Sequence, residues 1–199
     1  MIWGLILGIA LGSLPTALLL GRLRGIDLAT EGSANPGTNN AMRLGGPGLG
    51  AAVLVTEIAK GALAVWVGAR LGGDGGAALA GGGATLGNVY NPWLGFRGGK
   101  GLGITGGTLL AAWPGLLVVL AVVIAASVAV LRRSGPASLI TIAVYLGACL
   151  VGVIVALPGT WLVSDSGWML VMAALGIVAM APKHLADTVT PRDPTPSPG

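Results

Sequence analysis

Charge is what this 199-residue sequence has least of: Asp, Glu, Lys and Arg make up 9% of it, against roughly 25% in soluble domains. Apolar residues make up 54%, more than a water-soluble core can enclose. The chain has one cysteine, Cys149, in an apolar segment, and one histidine, His184. Those two counts exclude an intrachain disulfide, a Cys/His metal cluster and an HExxH motif. No two close carboxylates are poised for acid–base work. Although the net charge is +4, no Lys/Arg-rich run interleaved with aromatics is present to bind nucleic acid. The sequence points to no metal, no cofactor and no nucleic-acid partner.

What is present is long apolar runs. In hydrocarbon an unpaired backbone group costs several kcal/mol, so spans must be helices or closed barrels, and the runs lack the alternation of barrel strands. The expected fold is an all-α integral membrane bundle in one domain, residues 1–189, followed by a disordered Pro-rich tail, 190–199. Spans are expected at residues 2–21, 50–70, 76–93, 102–115, 116–131, 137–157 and 162–180. The fourth is short for a straight crossing, which leaves five full spans plus a re-entrant pair as the alternative to seven. The first segment lacks a basic leader and a small-residue cleavage site, so it is expected to stay as a span. Gly4, Gly8 and Gly12 fall on one face of it, where small residues let helices approach closely.

Placing the N-terminus outside puts Arg22, Arg24, Arg97, Lys100, Arg132, Arg133, Lys183 and Arg192 on the cytoplasmic side and only Arg70 outside. Trp3, Trp66, Trp113 and Trp161 are then expected near the outer boundary and Trp93 near the inner one. Arg70, Asp74 and Asp165, at loops or span ends, are expected only to anchor the bundle.

Two loops on the inner side carry the chemistry. The first, Arg22 to Gly48, gathers Ser33, Asn35, Thr38, Asn39, Asn40 and Arg43 around Gly32, Pro36 and Gly37. Hydroxyl, amides, exposed backbone N–H groups and a fixed positive charge together suit an anion, phosphate above all. The second, Leu94 to Gly103, reads LGFRGGKGLG, with Gly98, Gly99, Gly101 and Gly103 around Lys100 and a helix beginning just after. It lacks the spacing and the Ser/Thr of a Walker loop, so nucleotide binding is not supported. Both loops on one side suit a single phosphate pocket. Glu57 and Lys60, three apart on a helical face, fit either a structural pair or a hold on a headgroup. His184, in Lys183-His184-Leu185-Ala186-Asp187, is either interfacial or catalytic.

Together these segments resemble the bacterial acyl-phosphate:glycerol-3-phosphate acyltransferase family. GSLPTALLLGRLRGIDLATEGSANPGTNNAMR, residues 12–43, is similar to its first-span and Ser-Gly-Asn loop pattern; TEIAKG, 56–61, to its second-span element; and GFRGGKG, 95–101, to its glycine-lysine loop. The resemblance is to a divergent member. Asn88 stands where the family has His, and the third motif, Arg-His with Asn three residues on, is reduced to Lys183, His184 and Asp187.

The resemblance implies transfer of an acyl group from acyl phosphate to glycerol 3-phosphate, in phospholipid synthesis at the bacterial plasma membrane, with the site facing the cytoplasm. It carries over Ser33, Asn35, Asn40, Arg43 and Lys100; taken with the reading of the loops, the expected catalytic residues are Ser33, Arg43, Lys100 and His184, and the expected substrate-binding ones Asn35, Asn39, Asn40, Lys60, Asn88, Gly98, Gly99 and Asp187. Membrane lipid is the other implied partner. An inactive or altered-substrate homologue that binds a lipid phosphate, and an anion transporter, stand as alternatives. The sequence does not give the oligomeric state.

Overall fold

A computed structural model of the chain describes residues 1–155 and 160–189. The tail expected at 190–199 and the end of the sixth expected span lie outside the described residues. Among those described, all regular structure is helical: α1 (Ile2–Ser13), α2 (Thr16–Arg22), α3 (Thr38–Val89), a 3-10 turn (Pro92–Leu94), α4 (Leu102–Ala112), α5 (Pro114–Leu131), α6 (Ser134–Ile154) and α7 (Ser166–Val189). The chain is thus an all-α membrane protein; among the described residues five helical stretches, Ile2–Arg22, Thr38–Leu94, Pro114–Leu131, Ser134–Ile154 and Ser166–Val189, are long and apolar enough to cross a bilayer.

Proline and glycine set the breaks. The first expected span, 2–21, is interrupted: Pro15 has no N–H for a helical bond, and α1 stops at Ser13. α3 is broken at Gly46, whose φ of 78° favours glycine, with Pro47 opening the next segment. It is broken again at Gly72 and Gly73, where the chain reverses, so that Gly68 packs against Gly76. α3 is therefore a short helix, 38–45, followed by two antiparallel arms, 47–71 and 74–89. α4 has 11 residues, about 16 Å at 1.5 Å per residue, against a hydrocarbon core of roughly 30 Å. Segment 160–162 folds back over its end, with the Trp161 and Leu162 N–H groups donating to the Ala112 and Ala111 carbonyls at 2.8 and 3.2 Å.

Small residues carry the packing. Gly4, Gly8 and Gly12 are buried against the backbone at Gly76, Ala80 and Ala84, so α1 runs parallel to arm 74–89. α7 runs the same way, Gly75 lying against Trp168 and Gly82 against Leu175, while Gly61 and Gly107 seat α4 parallel to arm 47–71. The largest core cluster joins Val65, Leu109, Trp113, Tyr145, Met169 and Met172. Trp113, at the end of α4, is packed into this cluster at 6% exposed, whereas Trp3, Trp66, Trp93 and Trp161 are exposed. Asp74 accepts from the Ser164 N–H and hydroxyl and the Asp165 N–H at 2.7–2.8 Å, tying segment 160–165 to the arm turn.

Candidate functional site

The first loop is built around two residues. Leu28 is fully buried and anchors it over Ala41, Leu49 and Val53. Asn40, 1% exposed, donates to the Leu28 and Glu31 carbonyls at 3.2 and 3.0 Å and accepts from the Ser33 N–H at 2.9 Å. That amide fixes the loop, and with it the place of Ser33. The stretch read as a loop as far as Gly48 is helical from Thr38 onward, which puts Asn39 and Arg43 one turn apart on an exposed face.

The glycine loop is held from behind. The Gly98 N–H donates to the Val89 carbonyl at 3.1 Å. Gly98 also lies so close to the Asn88 carbonyl that a Cβ there would overlap it. Gly101, with φ 86°, caps α4. The Lys183 ammonium donates to the carbonyls of Val89, Gly98 and Gly99 at 2.9, 2.6 and 3.1 Å. His184 Nε2 lies 3.3 Å from the Lys100 carbonyl.

These parts enclose one cavity of about 970 Å³. The first loop and helix 38–45 contribute Ser33, Asn35, Asn39, Asn40, Met42 and Arg43 to its wall; arm 47–71 contributes Leu54 and Glu57; the glycine loop and the start of α4 contribute Lys100 to Gly103; α7 contributes Asp187. The two cationic loops expected to share a pocket therefore do share one. Its volume suits a substrate with a headgroup and part of a chain. Asp187 forms an ion pair with Lys100, both side chains being partly shielded at 18% and 29% exposed.

Several expected site residues lie off this wall. His184 is 1% exposed and sits behind the glycine loop, so its geometry is that of a support and not of a group in contact with substrate. Lys60, at 8% exposed, donates to the carbonyls of Gly12 and Leu14 at 3.3 and 2.8 Å. It fills the place of helical donors lost at the Pro15 break, and from its place off the wall of the larger cavity its charge attracts that of Glu57. Asn88 and Gly99 face a second, much smaller cavity of about 10 Å³ between Glu57, Lys60 and Asn91. The Asn88 amide bonds Glu57, and its Oδ1 is buried without a partner among the described residues. Gly98 turns its carbonyl away, toward Lys183.

The sequence reading missed Arg132, Arg133 and Ser134 on the cavity wall. Arg132 ends α5 with φ 53°, a left-handed conformation that costs an L-residue about 1–2 kcal/mol. Arg133 donates to the Thr188 carbonyl at 3.2 Å. The available signal was an Arg doublet followed by Ser-Gly on the side already assigned to the two loops. Cationic side chains thus come from three directions onto one space, around one ion-paired carboxylate and with apolar groups at its edge. Such a space can bring two anionic groups together.

A glycerol-3-phosphate acyltransferase family model matches residues 2–189 of this chain. The chain is 43% identical over 125 residues to a glycerol-3-phosphate acyltransferase of Symbiobacterium thermophilum, a match covering 63% of this chain and 62% of that protein. A Brucella abortus protein of the same name is 40% identical over 143 residues, 70% of each chain. A Brucella anthropi one is 45% identical over 125 residues, covering 61% of each. The matched stretch thus spans about three fifths of the Symbiobacterium and Brucella anthropi proteins. In fold, the chain superposes with a TM-score of 0.76 on the crystal structure of PlsY (YgiH), an integral membrane glycerol 3-phosphate acyltransferase. The identity is 23%, over 96% of this chain and 93% of that one, and PlsY was solved in glycerol 3-phosphate and lysophosphatidic acid forms.

Proposed function

This chain belongs to the glycerol-3-phosphate acyltransferase family, and from that membership we propose that it transfers an acyl group from an acyl phosphate to glycerol 3-phosphate. The products are lysophosphatidic acid and inorganic phosphate. The observation that carries the reading is the single cavity whose wall joins Arg43 and Lys100 with Arg132, Arg133 and the apolar Met42, Leu54 and Leu102. Both substrates are anions, and one has a long apolar tail. A wall that carries both cations and apolar side chains suits that pair.

An acyl phosphate is a mixed anhydride with a good leaving group, so the protein has mainly to align two anions and stabilise the charge that develops on the carbonyl oxygen. Arg43 and Lys100 offset the repulsion between the phosphates; Ser33, Asn35 and Asn39 orient the headgroups. The glycerol hydroxyl oxygen attacks the acyl carbon, the carbon–oxygen bond to phosphate breaks, and the departing phosphate takes the hydroxyl proton. That assignment follows from the commitments of the candidate bases among the described residues: Asp187 is paired with Lys100, the buried Glu57 is bonded to the Asn88 amide, and His184 is turned to a carbonyl. A phosphate with a second pKa near about 6 accepts a proton at neutral pH. On this reading His184→Ala keeps measurable turnover at saturating substrate. Complete loss in a folded variant would move the base to His184.

The test is direct. Purified protein given a long-chain acyl phosphate and glycerol 3-phosphate is expected to form lysophosphatidic acid and release phosphate in equal amounts. Phosphate release without acceptor, or no product with any chain length, overturns the proposal. The setting we propose is a bacterial plasma membrane with the cavity facing the cytoplasm.

A further inference from the structure

We infer that Lys183 is the positioning residue of the glycine loop: it draws the Val89, Gly98 and Gly99 carbonyls to the α7 side and so aims peptide N–H groups at a phosphate in the cavity. The inference rests on the proposed reading of that cavity as a phosphate site. It concerns a residue that does not itself line the wall.

In a trans peptide the carbonyl of one residue and the N–H of the next point in opposite directions, and no described peptide bond is cis. Because the Gly99 carbonyl is bonded to Lys183, the Lys100 N–H must point away from α7. His184 treats the next peptide alike, lying 3.3 Å from the Lys100 carbonyl, which turns the Gly101 N–H the same way. Lys100 and Gly101 are the loop residues on the cavity wall. Among the described residues neither N–H has a backbone acceptor. Two adjacent N–H groups therefore face a space already bordered by Arg43, in the arrangement that binds anions.

The loop could not keep that orientation by itself. Gly98, Gly99 and Gly101 leave its peptide planes almost free to rotate, and a rotated plane would present a carbonyl oxygen to the phosphate. An ammonium carries three donors and no acceptor, and here it meets carbonyls from the end of α3 and from the loop at once. Its positive charge adds to the field behind the N–H groups. Lys183 thus acts through the loop and not on the substrate.

The experiment compares Lys183→Met, Lys183→Gln and Lys183→Arg in the full-length protein. For Lys183→Met the KM for glycerol 3-phosphate or for acyl phosphate is expected to rise at least tenfold, with kcat falling less than threefold. Lys183→Gln, with one amide donor group, falls between, and Lys183→Arg recovers most of the loss. An unchanged KM for both substrates in folded Lys183→Met or Lys183→Gln overturns the inference. So does failure of both to fold while Lys183→Arg is normal, since Lys183 is then only a fold residue. Thermal unfolding with added inorganic phosphate supplies a readout independent of turnover: wild type is expected to be stabilised, and Lys183→Met to need about tenfold more phosphate for the same rise. If wild type makes no lysophosphatidic acid but shows this phosphate shift and the variant loses it, the proposed reaction falls and the role of Lys183 stands. Equal phosphate shifts in the two proteins overturn that role even when wild type is active.

Discussion

At the cavity, the Asp187 carboxylate opposes the cations of the wall. Asp187 holds Lys100, so a phosphate that binds Lys100 must break that pair or share the cation with a like charge. An exposed pair is worth about 0.2–1 kcal/mol; this one is partly shielded and belongs at the upper end or slightly above. Asp187→Asn is therefore expected to lower the KM for the phosphate bound at Lys100 about three- to tenfold, with kcat held or raised. A large kcat loss in steady-state kinetics would instead make Asp187 the base. Arg43→Ala and Lys100→Ala each remove a charged donor worth about 1.5–3 kcal/mol, which corresponds to a roughly 10- to 100-fold loss in kcat/KM. Detergent thermal stability should change little in Arg43→Ala, whose side chain is exposed; near-normal rates in either variant would refute the site. At this scale residue type was legible and direction was not. Ser33, Asn35, Asn39, Arg43 and Lys100 were marked by polarity beside glycine, and they meet at one wall. Asn40 carries the same signal, yet its amide is committed to loop backbone. Arg132 and Arg133 were read only as inner-side charge, because what brings them to the cavity is the packing of α6 against α7, which places Gly135 beside Asp187.

Among the helices, breaks and close approaches do most to shape the site. The spacing of Gly4, Gly8 and Gly12 marked a packing face, since residues four apart share one side of a helix. The partner, the stretch from Gly76 to Ala84, is far away in sequence and not deducible from that period. A side chain at Gly8 would meet the Ala80 carbonyl, and overpacking of this kind costs about 1–3 kcal/mol or more. Gly8→Leu should accordingly lower the melting temperature or yield of the purified protein, and an undisturbed melt would mean α1 is not held as described. Helix 38–45 was not foreseen because its polar composition and the adjacent Pro-Gly pair outweigh its short helical period. Lys60 belongs to this scale too. Its ammonium serves the Gly12 and Leu14 carbonyls; the Leu14 carbonyl also accepts from the Thr16 N–H, so Lys60→Met deprives chiefly the Gly12 carbonyl of its donor, at about 1–3 kcal/mol. The expected result is a lower melting temperature with both substrate KM values unchanged. A raised KM without loss of stability would return Lys60 to the substrate site.

For the whole molecule, charge and helix direction combine into an orientation. α1 and arm 74–89 run parallel, α7 runs with them, and arm 47–71 and α4 run the other way. The cavity therefore lies at the end where α2, arm 74–89, α5 and α7 finish and where arm 47–71, α4 and α6 begin. Arg22, Arg24, Arg97, Arg132, Arg133 and Lys183 gather at that end, while Arg70, stacked on Trp66 at 4.8 Å, marks the opposite one with Asp74 and Asp165. Lys and Arg concentrate on cytoplasmic faces, so the cavity end is expected to face inward and the N-terminus outward. Trp161 and Phe96, 67% and 65% exposed, mark the two ends. In a Cys149→Ala background, where the buried native thiol is gone, Trp161→Cys should react with a membrane-impermeant maleimide on intact cells. Phe96→Cys should react only after permeabilisation. The reverse pattern would put the cavity on the far side of the membrane from a cytosolic glycerol phosphate, and no arrangement of Arg43 and Lys100 within it could then sustain the proposed reaction.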